Sequence, residues 1–394
     1  MISIERAVDR RHLVGFIVNP IAGLGGPAGL KGSDEPGIRS KTRGRRRPAL
    51  ERAASALAAV AHRMASIRLL TAPGDMGERV AADAGWNAEV VGTARRITRA
   101  ADTRDAATRM VDQGIELLIF VGGDGTAVDL LAAVGDRVPV IGIPAGVKMH
   151  SAVFTVSPAV AGRVADLFFS REMPETVSAE VADLDENAVR RGIVSPRLHG
   201  TLQVPAAERL MQSPKMRSTS REAAALEDVA EAFKESMEPG VTYVVGPGST
   251  TSALLKRIGL GHTLLGVDVI KGGKVLAADV DDTHLTRLIR ESAEVRIVVT
   301  PIGGQGFLFG RGNQQIGPTV IARAGRDGLI VVATEAKLAS LQGRPLLVDT
   351  GRSSVDAWLA SWGYIRVLLG MGRTAMYPIR RADEAAFDDV TEKP

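Results

Sequence analysis

One carboxylate stands inside a glycine-rich turn that directly follows a run of apolar residues. In the stretch LLIFVGGDGTAVDLLAAV, Asp124 follows Gly122 and Gly123 and precedes Gly125 and Thr126. Glycines at the end of a strand permit positive φ and leave room for a phosphate, and the amino end of a following helix favours an anion. A carboxylate next to a phosphate is unfavourable because both groups are negatively charged, unless the carboxylate has a further role. We therefore expect Asp124 to hold a metal ion or to take a proton from a hydroxyl that attacks the phosphate. Thr126 is expected to cap the helix, and the alternative is an ordinary turn with an aspartate cap.

Three further loops of similar composition follow predicted strands. They are FIVNPIAGLGGPAG, GIPAGVKMHS and VGPGSTTSALL, and their candidate phosphate-binding residues are Asn19, Gly23, Gly25, Gly146, Lys148, Gly248, Ser249 and Thr250. The first loop fits the dinucleotide pattern GxGxxA, but the second predicted strand, SIRLLTA, ends without an acidic residue for a ribose. This argues against a dehydrogenase, and the chain has no P-loop.

Several of these side chains have an ordinary structural role as an alternative. Lys148 meets a phosphate or is a surface lysine, and Ser249 and Thr250 bind phosphate or ribose or simply cap a helix. Asp268, within the strand-like LLGVDVI, is a buried carboxylate with its hydrogen bonds satisfied, or a site residue. A fourth glycine-rich stretch, TPIGGQGFLFGRGNQQI, has more glycines than turn geometry explains.

The first half of the chain alternates strand-like and helix-like segments. This pattern predicts an α/β protein with two domains: an N-terminal doubly wound, mostly parallel sheet and a C-terminal β-rich α/β domain. We expect the N-terminal nucleotide-binding domain at 1–172, the second domain at 173–350, and a tail at 351–394 that packs back on the domains. In an open parallel sheet, ligands sit beyond the carboxyl ends of the strands, where these glycine-rich loops begin.

Composition excludes several classes of protein. Hydrophobic residues are 45% and charged residues 24% of 394 residues, which is typical of an ordinary globular chain. The absence of cysteine excludes disulfides, thiolate metal sites and cysteine nucleophiles. The first residues, MISIERAVDRRHLVGF, carry charges where a signal peptide needs an apolar core, and no apolar run reaches the roughly 18 residues of a membrane span. We expect a cytoplasmic protein without a membrane partner.

Positive charge is concentrated in the segment 39–52, although the net charge is only +4. The segment is either a solvated loop that enters a helix or a basic rim that attracts polyanionic ligands such as nucleotides. Nucleic acid is not the expected partner, because no aromatic residue is interleaved for stacking on bases.

With these motifs in place, the sequence resembles the NAD kinase superfamily, which also includes diacylglycerol and sphingosine kinases. VGGDGT is similar to the superfamily's signature, and GPGSTT resembles the TPTGSTAY-type loop of NAD kinases in its Gly-Ser-Thr core. Together with GFIVNPIAGLGG, GIPAGVKMHS and TPIGGQGFLFGRGNQQI, they resemble the predicted ATP- or polyphosphate-dependent branch that is related to the acetoin-catabolism X proteins. The likeness extends from about Leu13 to Gly351.

The resemblance implies a phosphotransferase that uses ATP, or polyphosphate, and Mg²⁺ to phosphorylate a hydroxyl. It also implies an N-terminal α/β domain, a C-terminal, more β-rich domain, and an active site in the cleft between them. Asp124 would match the family's essential acid, near the acceptor hydroxyl or the metal. The turn around it and the Gly248–Thr250 loop would match the family's phosphate-binding and second loops. The family's Asn-Glu pair has its nearest counterpart here in LDENAV, where Asp185, Glu186 and Asn187 stand in a different order.

The partners predicted from the sequence are a nucleotide phosphate donor and a dinucleotide or small-molecule acceptor. NAD is the first choice of acceptor. The alternative is a ketose of three or four carbons, such as dihydroxyacetone or erythrulose, with hydrogen bonds from His150, Ser151, Gln305 and Asn313. A dinucleotide sensor without turnover would have no use for a carboxylate such as Asp124 facing the phosphate. A lipid kinase is disfavoured because the sequence shows no evident amphipathic segment that would face a membrane. Assembly into a homo-oligomer is left open.

Overall fold

The computed structural model describes residues 11–26, 47–95, 97–146, 149–170, 175–184, 196–207, 211, 220–302, 304 and 306–384. The strands are β1 (His12–Val18), β2 (Ile67–Thr71), β3 (Glu89–Val90), β4 (Leu117–Gly122), β5 (Val140–Pro144), β6 (Thr176–Leu184), β7 (Pro196–Pro205), β8 (Thr242–Val245), β9 (Asp268–Lys271), β10 (Lys274–Ala277), β11 (Val295–Val299), β12 (Phe307–Phe309), β13 (Leu329–Val332), β14 (Leu346–Val348), β15 (Tyr364–Gly370) and β16 (Arg373–Arg381). The α-helices are α1 (Pro48–Ala59), α2 (Glu78–Asp83), α3 (Ala100–Asp112), α4 (Asp124–Val134), α5 (Pro158–Phe169), α6 (Ser220–Glu235), α7 (Ser249–Arg257), α8 (Asp282–Arg290), α9 (Pro318–Ala324), α10 (Glu335–Ala339) and α11 (Ser353–Ala360).

The first sheet consists of five strands in the order β3-β2-β1-β4-β5, and all of its pairings are parallel. Every residue of β4 is buried, as the continuous apolar run LLIFV predicts for an interior parallel strand. The strand order reverses between β1 and β4. In an open α/β sheet, ligands bind outside the carboxyl ends of the strands at such a reversal. The loops that follow β1 and β4 therefore flank the expected ligand position.

The second sheet is larger and mixed. Its nine strands lie in the order β10-β9-β8-β11-β13-β15-β16-β14-β12. The four strands β8, β11, β13 and β15 are parallel, whereas β9 and β16 run antiparallel to β8 and β15. The mixed α/β architecture with a parallel N-terminal sheet and a β-rich C-terminal domain confirms the fold class predicted from the sequence.

Packing groups the elements differently from the predicted ranges at two places. The antiparallel pair β6–β7 lies within the range 173–350, but its buried residues pack in the first hydrophobic core, which runs from Val14 to Met211. The range 351–394, expected to be a tail, supplies α11, β15 and β16. In the second sheet β15 lies between β13 and β16. Within the described ranges, every helix is too short or too polar to cross a lipid bilayer.

Candidate active site

The turn between β4 and α4 is shaped by close packing. Gly123 occupies the N-cap position of α4 with φ −122° and ψ −170°. Gly122, Gly123 and Gly125 all lack positive φ, so the expected left-handed conformation is wrong. A Cβ atom on Gly122 would lie 2.5 Å from the Thr126 hydroxyl, and one on Gly123 would lie 3.2 Å from the Gly146 Cα. Neighbouring atoms therefore leave no room for a side chain at Gly122 and little at Gly123, whereas a Cβ atom on Gly125 would have its nearest neighbour at 3.9 Å.

The sequence predicted that Thr126 caps the helix. In the structure it instead joins the turn to the loop after the first strand. Its side-chain oxygen accepts a hydrogen bond from the Asn19 amide at 2.9 Å. The Asn19 backbone N–H donates to the carbonyl of Val121, the residue before Gly122, at 2.8 Å. Asn19 thus ties the loop after β1 to the loop after β4, across the reversal in strand order.

The loop after β5 completes this group. The N–H groups of Ala145 and Gly146 both donate to the Gly122 carbonyl, at 2.8 and 3.2 Å. Gly23 has φ +75°, and a Cβ atom there would overlap the carbonyl oxygen of Ala145. Gly25 is buried in the same turn as Gly23. The structure therefore brings the candidate residues of three loops together, while Lys148 lies outside the described residues.

Asp124 is the first residue of α4 and is only 4% exposed. Its two carboxylate oxygens accept backbone hydrogen bonds from His150 at 2.7 Å and from Ser151 at 3.0 Å. Burial raises the pKa of Asp124 from 3.8 to about 7, against the lowering effect of those hydrogen bonds, and the negative charge of Asp183 acts in the same direction as burial. A carboxylate with this pKa accepts and releases a proton near neutral pH.

Ser151 and the residue after it are also attached to β6. The Ser151 hydroxyl donates to the Ala182 carbonyl at 2.9 Å and accepts from the Ala182 N–H at 3.1 Å, and the Ala152 N–H donates to the Glu180 carbonyl at 2.8 Å. The next residue of β6, Asp183, has a carboxylate oxygen 3.9 Å from the position of a Cβ atom on Gly125.

Asp183 and the paired N–H groups of His150 and Ser151 were not found by sequence reasoning. The alternation in SAEVADL marks a strand that ends near an acid, and this was the available signal for Asp183. The N–H groups gave no signal, because backbone groups are the same at every residue. The nearby residues 185–187, which include the counterpart of the family's Asn-Glu pair, lie outside the described residues.

The Gly248–Thr250 loop lies at the carboxyl end of β8 in the second sheet. Gly248 has φ +142°, and a Cβ atom there would lie 2.9 Å from the Thr300 methyl group. The Lys337 ammonium group donates to the hydroxyls of Thr250 and Thr300, each at 3.1 Å. Ser249 is the first residue of α7. These contacts belong to the second sheet, whereas those of Asp124 belong to the first. Lys337 was not anticipated from the sequence.

Two other candidates have structural roles. Asp268 is buried and accepts hydrogen bonds from the Thr263 N–H and hydroxyl, both at 2.6 Å, and from the Asp279 N–H at 2.9 Å. Asn313, expected as a donor to a ketose, donates to the Leu308 carbonyl at 2.7 Å and accepts from the Gly310 N–H at 3.0 Å. Both side chains hold their own loops. Gln305 lies outside the described residues.

A cavity of about 280 Å³ opens between elements of the two domains. Gly23 and Gly146 from the first domain line it, and the second domain contributes Gly317 and Thr350. An ion pair between Arg52 on α1 and Asp349 after β14, 2.7 Å apart, lies in its wall. Gly146 also packs against Gly123, so the cavity adjoins the loops around Asp124.

The basic 39–52 segment is described only from Arg47 onward. Arg47 pairs with Asp75 at 2.8 Å on the surface of the first domain, and Arg52 pairs with Asp349. The two described arginines therefore make intramolecular ion pairs, and the remaining basic residues of the segment lie outside the described residues.

Comparison with known proteins gives two family matches. The ATP-NAD kinase N-terminal domain matches residues 14–173, and the ATP-NAD kinase C-terminal domain matches residues 238–378. The NAD kinase of Methanosarcina acetivorans is 40% identical over 88 residues, which are 19% of this chain and 32% of that protein. The NAD kinase of Methanosarcina mazei is 38% identical over 88 residues, 19% of this chain and 30% of that protein. The chain thus spans about a third of the length of these curated relatives, and no solved structure matches it.

Proposed function

Because the chain belongs to the NAD kinase superfamily, we propose that it transfers a phosphoryl group from ATP to a hydroxyl group, with NAD as the acceptor and NADP as the product. The observation that carries the proposal is the buried Asp124 carboxylate, held by two backbone N–H groups at the amino end of α4. The finer placement, in the branch related to the acetoin-catabolism X proteins, stays a prediction.

In this proposal Asp124 takes the proton of the attacking hydroxyl. Its oxygens accept two backbone hydrogen bonds, and a carboxylate has about four acceptor sites, so it can also accept a hydrogen bond from the acceptor hydroxyl. Its pKa of about 7 suits a base at neutral pH. The backbone of the turn and the amino end of α4 would hold the phosphate oxygens of the donor. Asn19 and Thr126 keep the two loops at the required spacing.

The carboxylates around this turn fit Mg²⁺, which proteins hold through one or two carboxylates together with phosphate oxygens of the substrate. Within the described residues, no group of three or more His, Cys, Asp or Glu could hold a metal. The protein would therefore supply a small share of the ligands, with Asp183 the side chain placed for it beside Gly125. When bound, the ion neutralises charge on the transferred phosphoryl group.

The Asp124→Asn variant tests the role of the carboxylate. Asparagine keeps the size of the side chain but cannot take the proton, so we expect turnover to fall by about 10²-fold or more while the fold is kept. ADP release with ATP, Mg²⁺ and NAD measures the rate. The matched control is Asp129→Asn on the same helix, where Asp129 pairs with Arg104 near the surface. Turnover at the wild-type rate in folded Asp124→Asn protein would remove Asp124 from the mechanism.

A ketose of three or four carbons is the second candidate acceptor, and the cavity between the domains favours it. Its volume of about 280 Å³ lies below the roughly 300–1,000 Å³ of pockets for drug-sized ligands. Charged and hydroxyl groups of Arg52, Asp349 and Thr350 line it, which suits a small polyhydroxylated molecule. Two of the donors expected from the sequence already have partners in the protein: the Ser151 hydroxyl donates to the Ala182 carbonyl, and the Asn313 amide donates to the Leu308 carbonyl.

One set of reactions separates the two acceptors. The protein is incubated with ATP and Mg²⁺, and NAD, dihydroxyacetone or erythrulose is offered in turn while ADP and NADP are followed. Appearance of NADP supports NAD as the acceptor. ADP release with a ketose but none with NAD would overturn that assignment and support the ketose. If neither acceptor releases ADP, the same set with inorganic polyphosphate tests the donor.

A further inference from the structure

Arg311 reaches from the second domain into the first. It follows β12 in the stretch FGRGNQQ and is 6% exposed. One terminal nitrogen of its guanidinium donates to the Val156 carbonyl at 2.9 Å, and the other reaches the Pro144 carbonyl at 3.5 Å. The same group lies 3.2 Å from Asp349 and stacks on the Phe307 ring, 4.8 Å from its centroid.

These two carbonyls mark the two ends of one loop. Pro144 is the last residue of β5, and Val156 stands just before Ser157, the N-cap of α5. The loop between them contains the N–H groups of His150 and Ser151, which hold both oxygens of Asp124. A planar guanidinium with several donors can bind two carbonyls at once, which a lysine ammonium cannot do in the same fixed geometry.

We propose that Arg311 is a positioning residue for Asp124: it clamps the two ends of the connection between β5 and α5, at Pro144 and Val156, and so holds the His150 and Ser151 N–H groups against the carboxylate. Asp349 and the Phe307 ring fix the guanidinium, so the clamp belongs to the second domain while the carboxylate belongs to the first. The proposal rests on the proposed function only in its kinetic consequence, because the placement of the loop is a property of the protein without substrate.

The first test is amide hydrogen exchange in the Arg311→Met variant, followed at His150 and Ser151. Methionine fills much of the space but donates no hydrogen bond, and Asp349 keeps its partner Arg52. In the wild type the loop can open only if the two Arg311 hydrogen bonds break, and in the variant they are absent. We therefore expect exchange at these two amides to become about tenfold faster or more. Unchanged exchange at both amides overturns the proposal, whatever the activity of the protein.

Two further variants guard against a general loss of stability. Arg323→Met removes an arginine that likewise donates to two backbone carbonyls, those of Ser292 and Ala293, each at 2.8 Å. It should leave exchange at His150 and Ser151 unchanged. Arg311→Lys keeps the positive charge beside Asp349 but cannot bind both carbonyls in the same geometry. Exchange at His150 and Ser151 should therefore be faster than in the wild type, and this variant serves as the test if Arg311→Met folds poorly.

The second test is the split between kcat and KM for whichever acceptor is turned over. A looser loop misplaces the Asp124 carboxylate but removes no contact to the bound substrates, so Arg311→Met should lower kcat about tenfold or more with little change in KM. Unchanged kcat together with faster exchange would overturn the link to Asp124. If wild type turns over no acceptor, the proposed function fails and the exchange measurement still decides on the clamp.

Discussion

At the scale of single residues, Asp124 shows how its surroundings set the chemistry of a carboxylate. Two backbone N–H groups would by themselves stabilise the charged form. Burial at 4% exposure acts more strongly in the opposite direction, and the resulting pKa of about 7 lies where proton transfer is useful. The same arrangement makes the ionised carboxylate costly to the folded protein.

That cost predicts a specific dependence of stability on pH. The pKa of Asp124 in the folded protein, about 7, exceeds the ordinary value of 3.8, so the native state binds the extra proton between these values. The contribution of Asp124 to the free energy of unfolding is therefore largest on the acid side and is lost as the pH rises through about 7. The contribution lost between pH 5 and pH 8 is about 2 to 3 kcal/mol.

Urea unfolding of wild type and Asp124→Asn at pH 5 and pH 8 measures this contribution. Wild type should lose more free energy of unfolding than the variant over this interval, because asparagine does not titrate. An equal loss in both proteins would show that other groups control the pH dependence and that Asp124 titrates at its ordinary pKa.

At the scale of elements, the β6–β7 hairpin completes the first domain. Its register pairs Ala179 with Leu202, and both residues are buried in the first hydrophobic core. It also supplies the backbone partners of Ser151 and places Asp183 beside the glycine turn. The hairpin therefore contributes to the site as well as to the core.

A pair of leucines on β7 tests this assignment. Leu202 is completely buried, whereas Leu198 on the same strand is 57% exposed. Leu202→Ala should lower the free energy of unfolding by about 2–5 kcal/mol, and Leu198→Ala should have an effect within about 0.5 kcal/mol. Chemical denaturation measures both. Similar effects of the two substitutions would mean that the hairpin does not pack as described.

At the scale of the whole molecule, Asp349 joins the domains through two arginines. Arg311 lies in the second domain, as Asp349 does, and also contacts the first domain. Arg52 approaches Asp349 from α1 of the first domain. All three side chains are largely buried, so removal of the shared anion leaves two cations without this partner in a site with little water.

Asp349→Asn is therefore expected to destabilise the protein by about 3–5 kcal/mol, the usual cost of breaking a buried ion pair. Arg52→Met should cost less, because the pair of Asp349 and Arg311 remains. Thermal unfolding of the two variants at one pH measures the difference. If Arg52→Met were the more damaging change, Asp349 would not be the centre of the group.

Sequence reasoning was sufficient where local pattern determines structure. Alternating apolar and turn segments predict the first sheet, and the glycine loops at the ends of β1, β4 and β5 come together as parallel strand ends require. Contacts between distant residues carry no local pattern. Lys337 meets Thr250 from 87 positions away, and Arg311 meets Val156 from 155 positions away. The same reason explains why β15, which looks like a terminal segment, lies in the interior of the second sheet.

The order of strands in the second sheet has a consequence for synthesis on the ribosome. Within the described chain, β14 and β12 join the other strands through β16, the last strand of the sheet. The first domain can fold as soon as the chain has emerged as far as Met211. The segment with Asp349 directly follows β14, so it has no finished sheet to support it until Arg381 has left the exit tunnel. The nascent chain can thus complete the core of the first domain before Arg311 and Asp349 are available to form the ion pairs that involve both domains.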